Sequence, residues 1–335
     1  MKVLIVGVTG MIGSHLVEFL TTRPGVDVFG FKRWRSSLEN LGPLAEKINL
    51  LEGDLGDPYS IQQAVESSQP DRIFHLAAQS YPSESWQAPV ATFDTNAIGT
   101  IHLLEATRKF APKAQVMIAC SSAEYGLISP DEVPITEGHP LRPISPYGVS
   151  KVAQELLGLQ YHLCFAMPIY LARFFNQVGP RQADRCSIQT FARQVAEIEQ
   201  SGEPGVVRHG NLSPKRDFLD VRDGVRAIWQ MLERGRPGKA YNVCSGQARQ
   251  MRRILDELIR LSPAEIETEV DPRRLRPLDE PVIVGDASSL TLDTDWFPAI
   301  PFSQTLTDIL DFWRQRIRVG MPSNGNHISG WDAVC

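Results

Sequence analysis

Short apolar runs alternate with amphipathic stretches through the first half of this chain. The runs at 2–7, 26–31, 47–51, 71–76, 115–120 and 168–174 are dense in branched and aromatic residues, as strands covered on both faces should be. Between them, 11–22, 57–68, 89–109 and 146–165 read as helices; in the first, Ile12, Leu16, Phe19 and Leu20 share one side. This alternation predicts an α/β fold, a doubly wound parallel sheet built from right-handed βαβ units. From about Asn176 the pattern breaks, Pro and Gly become frequent, and Arg185, Arg208, Lys215 and Arg216 scatter among loops. We expect 1–175 with about 217–245 to form the sheet domain. A smaller C-terminal lobe should comprise about 176–216, 247–281 and 301–318, with 319–335 a mobile tail. Asp223, ahead of the amphipathic Val225, Ile228, Trp229 and Leu232, is expected to cap a helix.

The first strand runs directly into Gly7-Val8-Thr9-Gly10-Met11-Ile12-Gly13 and then into the first helix. Strand, glycine turn and helix together offer free backbone N–H groups and a positive helix end to a pyrophosphate, which makes the fold Rossmann-like. The spacing is G-x-x-G-x-x-G. Tyr147 and Lys151, four residues apart on the helix at 146–165, lie one turn apart on one face. An ammonium beside a phenol favours the phenolate, so such a pair can pass a proton near neutral pH. Between these motifs, Ser121-Ser122-Ala123-Glu124-Tyr125-Gly126 leaves the fifth strand at its carboxyl end, a usual place for ligand contacts.

Composition narrows the partners. At 335 residues with 42% hydrophobic content the chain can bury a sizeable core. A formal charge of −5 argues against nucleic acid or an anionic membrane surface as a partner, and no apolar stretch approaches the roughly 20 residues that span a bilayer. Five cysteines without metal-ligand spacing read as reduced thiols of a cytoplasmic protein, with no metal site expected.

The glycine triplet, the Tyr147/Lys151 pair 134 positions beyond Gly13, and the Ser-rich strand end resemble an extended short-chain dehydrogenase/reductase of the epimerase/dehydratase type. The likeness runs from Lys2 to about Arg318 and is closest to enzymes acting on nucleotide sugars, the GDP-mannose 4,6-dehydratases and GDP-4-keto-6-deoxymannose reductases. It implies that Gly7, Thr9, Gly10, Met11, Ile12 and Gly13 line the cofactor, with Asp54 and Leu55 at the adenine edge and Leu76, Ala77 and Ala78 at a small-residue strand end. It also implies that Ser121, Tyr147 and Lys151 are catalytic, with Tyr147 and Lys151 also contacting the cofactor, and that the protein is a homodimer or homotetramer.

The second strand ends in Lys32-Arg33-Trp34-Arg35-Ser36, where NAD-preferring folds place an acid for the ribose hydroxyls. Cations suit a 2′-phosphate, so NADP(H) is expected rather than NAD(H), with Arg33, Arg35 and Ser36 as contacts. In the later half, Gly210-Asn211-Leu212-Ser213-Pro214-Lys215-Arg216-Asp217, Asn176 with Gly179-Pro180-Arg181, and Leu275-Arg276-Pro277 resemble the GDP-sugar segments of these enzymes. Asn176, Arg181, Asn211, Arg216 and Arg276, with Ser121 and Ser122, are therefore the implied contacts of a GDP-linked sugar. The dehydratases of this group carry a Glu base two residues before the Tyr-Gly pair; here that residue is Ala123, which transfers no proton. In a strand-like stretch Glu124 would face the other way, although a bulge could bring it round. The expected activity is reduction of the C4 ketone of a GDP-4-keto-6-deoxyhexose by NADPH. GDP-mannose 4,6-dehydration, 4-epimerisation and a non-enzymatic NADP(H)-binding regulator are the alternatives. His75 is expected to be a packed core histidine, while Tyr81 and Trp86 are read equally as sugar-pocket or packing aromatics.

Overall fold

The computed structural model describes residues 1–275 and 280–320. Six strands alternate with helices as the apolar pattern requires: β1 (Lys2–Val6), α1 (Met11–Thr21), β2 (Asp27–Lys32), β3 (Asn49–Glu52), α2 (Pro58–Ser68), β4 (Arg72–His75), α3 (Pro82–Gln87), α4 (Pro89–Phe93), α5 (Gly99–Phe110), β5 (Gln115–Ser121), α6 (Pro146–Phe165) and β6 (Ile169–Phe174). The helical stretch read at 89–109 is interrupted between α4 and α5 by one π-helical turn, Asp94–Ile98. Local chemistry sets several helix starts. Asp57 accepts from the Tyr59 and Ser60 amides ahead of α2, Ser145 accepts from the Gly148 amide ahead of α6, and each is followed by proline at the first helical position.

The main sheet has seven strands in the order β10-β6-β5-β4-β1-β2-β3, β10 being Ala240–Val243, and every pairing is parallel. Strand order reverses between β1 and β4, which opens a crevice at their carboxyl ends. One face is covered by α1, α8 (Val221–Arg234) and α10 (Ser288–Thr294), through Leu16, Leu20, Ile228, Leu232 and Leu290. The other is covered by α2, α5 and α6, through Ile61, Val65, Leu103 and Tyr161. These two apolar layers make the sheet a rigid frame for the groups at its edge.

The remaining elements are β7 (Asn176–Val178), α7 (Ser187–Ser201), β8 (Gly205–His209), β9 (Lys215–Asp220), β11 (Ala248–Gln250), α9 (Met251–Arg260), β12 (Ile266–Val270), β13 (Val282–Ile283) and α11 (Phe302–Arg318). They share their own apolar cluster, with Phe191, Val195, Leu255, Leu258, Ile309 and Trp313 at its centre. The expectation that 217–245 returns to the main sheet needs correction at its start. β9 lies in a small sheet between β11 and β13, with β7 also paired to it, and only α8 and β10 rejoin the frame. The helix cap also moves, since Asp220 at the end of β9 accepts from the Arg222 amide and begins α8. Asp223 is buried one turn further on and holds the Ala299 and Ile300 amides, each at 2.9 Å.

Candidate active site

The glycine turn sits in the β1/β4 crevice because no side chain would fit there. Gly7 has φ +97°, and a Cβ on it would lie 2.7 Å from the Ala77 nitrogen; on Gly13 it would lie 2.4 Å from the Gly7 carbonyl oxygen. Ala77 donates its amide to the Val6 carbonyl, which carries 76–78 alongside the turn. No described side chain caps α1, and with the Gly10 amide bonded to the Gly7 carbonyl the free N–H groups at the crevice are those of the first α1 turn from Met11 onward. Asn40 donates to the Thr9 carbonyl at 3.0 Å and braces the turn from the loop after β2.

That loop sorts the three cations. Lys32 is buried and pairs with Glu52 at 2.6 Å across β2 and β3, while Arg33 and Arg35 are exposed and Ser36 is half-buried. Asp54, after β3, is exposed and accepts from the Gly56 amide; Leu55 beside it is buried. A turn that excludes a Cβ at Gly7 and Gly13, an open helix end and two exposed guanidinium groups together suit a dinucleotide bearing a 2′-phosphate. Those arginines carry a testable consequence. At about 1.5 kcal/mol for each exposed charge-assisted contact, Arg33→Ala with Arg35→Ala should weaken NADPH binding roughly 100-fold and leave NADH nearly unchanged. Fluorescence titration with both cofactors checks this, and equal weakening of the two would refute the 2′-phosphate assignment.

Ser121 closes β5, and its hydroxyl accepts from the Ala123 amide at 3.2 Å. The chain then turns through a single 3-10 turn, Ser122–Glu124. Gly148 lets α6 rest directly on this turn, for a Cβ there would lie 2.7 Å from the Ala123 carbonyl oxygen. Tyr147, the residue before it, is therefore held against the turn that carries Ser121. Lys151 is buried with its ammonium 5.9 Å from the centre of the Tyr147 ring, donating to the Ala119 carbonyl at 2.7 Å and the Gln154 side chain at 2.8 Å. Burial draws the Lys151 ammonium down to about 8.

Glu124 faces neither into the crevice nor across a strand. The turn directs it backwards, where its Oε1 accepts from the Ser121 amide at 2.8 Å and its Oε2 stands 3.7 Å from Arg173 Nε. Arg173, from β6, forks onto Glu155 of α6 through two hydrogen bonds, one of 2.8 Å, and also donates to Tyr125. Burial and the neighbouring Glu155 push the Glu124 carboxyl well above the usual carboxylate range. Although burial alone would raise Glu155 too, the Arg173 fork holds it below that range.

Residue patterns gave no sign of Asn96. It sits in the π-helical turn, fully buried, taking the Gln79 amide at 2.8 Å and returning a bond to the Gln79 carbonyl at 3.1 Å. It also donates to the Ser150 hydroxyl, which donates in turn to the Tyr147 carbonyl at 2.7 Å. The usable signal was an Asn within an otherwise helical run, where it has no capping task. His75 is the core histidine expected, bonded to Thr100 at 2.8 Å, and burial followed by the Lys151 charge holds it down to about 3.

The later candidates spread over a wider area. Asn176 donates to the Asp217 carbonyl at 3.0 Å, and Arg216 reaches the Glu280 carbonyl at 2.7 Å, both on the small sheet. Asn211 lines a hollow of about 500 Å³ with His209, Gln250, Arg252 and Leu275. Arg181 turns instead toward α1 and pairs with Glu18 at 2.6 Å, while Arg208 pairs with Glu269 on an exposed strand surface. Arg185 pairs with Glu84 and lies over the Tyr81 ring, 5.0 Å from its centre; Trp86 is 64% exposed. Arg276 and residues 321–335 lie outside the described residues. No described helix is long and apolar enough to cross a membrane.

Comparison with known proteins places this geometry. The family model described as GDP-mannose 4,6 dehydratase matches residues 4–309. GDP-6-deoxy-D-mannose reductase of Pseudomonas aeruginosa is 32% identical over 318 residues, 95% of this chain and 98% of that protein. A GDP-mannose 4,6-dehydratase of Vibrio cholerae is 30% identical over 348 residues, 92% of each chain. The solved structure of RMD from Pseudomonas aeruginosa complexed with NADPH superposes with a TM-score of 0.83 at 30% identity, covering 94% of this chain and 98% of that one.

Proposed function

This chain belongs to the GDP-mannose 4,6-dehydratase family of extended short-chain dehydrogenases/reductases, and on that premise we propose that it reduces the C4 ketone of a GDP-4-keto-6-deoxyhexose with NADPH. NADPH, when bound, would supply the hydride for C4. Gly7, Gly10 and Gly13 with the α1 N-terminus would hold its pyrophosphate, and Arg33, Arg35 and Ser36 its 2′-phosphate. Tyr147 donates the proton to the C4 oxygen as charge develops there, so that the ketone, with hydride added at C4 and this proton at oxygen, leaves as an alcohol. The Ser121 hydroxyl orients and stabilises the same oxygen, and the Lys151 ammonium keeps the phenol acidic. Asn176, Arg216 and Asn211 line the path for the sugar diphosphate and the base.

The orientation of Glu124 carries the choice of reductase over dehydratase. Water loss from GDP-mannose needs a carboxyl group that takes the C5 proton next to the C4 ketone and gives a proton to the C6 hydroxyl as it leaves. Ala123 stands at the position where related dehydratases carry that group, and Glu124 is directed into the Arg173 and Glu155 contacts behind the turn. Dehydration is the second reading, favoured by the description of the family model itself. The purified protein should consume NADPH with GDP-4-keto-6-deoxymannose and leave GDP-mannose alone unchanged, followed by nicotinamide absorbance and product mass. Loss of one water from GDP-mannose without net change in cofactor would replace this proposal by the dehydratase.

A further inference from the structure

Behind the catalytic turn lies a buried polar cluster that the proposed chemistry does not use. Cys120, Glu124 and Glu155 each bring one ligand atom within 4.8 Å of the others, and all three residues are buried. Two adjoining carboxylates would repel one another, and among the described residues only Arg173 pairs with them directly, the Lys151 ammonium being turned onto the Ala119 carbonyl and Gln154, so a single shared proton relieves the pair. Arg173 donates its fork to Glu155, and Glu124 Oε2, buried and without a hydrogen-bond partner among the described residues, belongs to the same carboxyl pair. The shared proton fits best on that unpartnered Glu124 oxygen, since the Arg173 fork already satisfies Glu155. The other Glu124 oxygen accepts the Ser121 amide at 2.8 Å, two residues along β5 from the Ala119 carbonyl that holds Lys151.

We propose that Glu124 is a positioning residue of this active site, a buried neutral acid that bridges the Ser121 amide and Glu155, fixes the Ser121 hydroxyl beside Tyr147 and keeps a second anion away from Lys151. The groups that face it are Cys120 from β5, Lys151 and Glu155 from α6 and Arg173 from β6. The bridge works through geometry and neutrality alike. A neutral side chain that both donates and accepts should replace it, and one that does neither should not. This inference rests on the assignment of Ser121, Tyr147 and Lys151 as the reacting triad.

Glu124→Gln and Glu124→Ala separate these roles, assayed with NADPH and the keto sugar across pH 6 to 10. The amide of Glu124→Gln can accept the Ser121 amide and donate to Glu155, so kcat should stay within about threefold of the parent. The alkaline limb of kcat/KM for NADPH, set by Lys151 near pH 8, should also stay in place. Glu124→Ala frees the turn and should lower kcat roughly 100-fold while NADPH affinity is retained. Should that variant not fold, Glu124→Asp, one methylene short of the bridge, carries the same expectation of lowered kcat at unchanged cofactor affinity. Full kcat in Glu124→Ala, or in Glu124→Asp where that replaces it, overturns the proposal. A downward shift of the alkaline limb in Glu124→Gln also overturns it, because that shift means Glu124 acts as an anion. Failure of the triad itself reads out separately, as turnover that survives Tyr147→Phe.

Discussion

Tyr147→Phe should lower kcat by roughly 10²–10⁴-fold, the usual contribution of a positioned proton donor, while NADPH binds as before. The side chain is buried at the start of α6, and the aromatic ring remains in the variant, so packing of α6 on the 122–124 turn is retained. Only the hydroxyl disappears. Ser121 can still orient the C4 oxygen, yet a serine hydroxyl beside no base supplies a proton poorly. Lys151 cannot substitute, because its ammonium is engaged with the Ala119 carbonyl and Gln154 beneath the ring. Steady-state kinetics with the keto sugar and fluorescence titration of NADPH measure the two halves of the expectation. A kcat within tenfold of the parent would remove Tyr147 as donor, and a lost cofactor site would make its role one of binding.

The parts of this site that were legible in the sequence are those built from contiguous residues. The glycine turn must follow β1 and open α1 because close approach to Ala77 and to the turn's own carbonyls demands glycine at Gly7 and Gly13. Tyr147 and Lys151 share a face through helical spacing alone, and Ser145 with Pro146 starts that helix. The frame was legible for a similar reason. Strands buried on both faces leave uninterrupted apolar runs, so the six N-terminal strands fall within a few residues of their expected positions.

What escaped depends on partners far away in the chain. Arg173 reads as one cation in an apolar strand, and only folding sets it against Glu155 of α6 and Glu124 of the β5 turn. β9 carries a strand pattern that fits the frame as well as the small sheet. The pairing with β7, β11 and β13 decides between them, and register over such separations leaves no local trace. Asp220 and Asp223 are equally good caps by type, and the choice falls to Asp220 because its backbone is still extended at the end of β9. Lys32, Arg33 and Arg35 look alike as a basic run. The pleat turns Lys32 into the sheet beside Glu52 and leaves the other two at the crevice edge.

The buried cluster gives the largest expected effect on stability. Arg173→Met keeps the apolar stem in β6 but leaves Glu155 buried without its counter-ion, a loss of about 3–5 kcal/mol by analogy with other broken buried pairs. The sign of its pH dependence follows from the same contacts. In the parent, Glu155 is held below the usual carboxylate range, so its contribution is present above that range and fades as pH falls through the folded value. Without Arg173 the burial that already acts on Glu155 is unopposed, and folding must take up a proton instead. The variant's stability should therefore fall as pH rises from the ordinary carboxylate range, while the parent retains the contribution of the pair. Equilibrium urea unfolding of both proteins at about pH 5 and pH 8 should show the deficit widening at the higher pH. A deficit under about 1 kcal/mol, or one that does not change with pH, would mean that the pair contributes no more than an exposed surface ion pair. In that case Glu124 and Glu155 would have to find their compensation elsewhere in the fold.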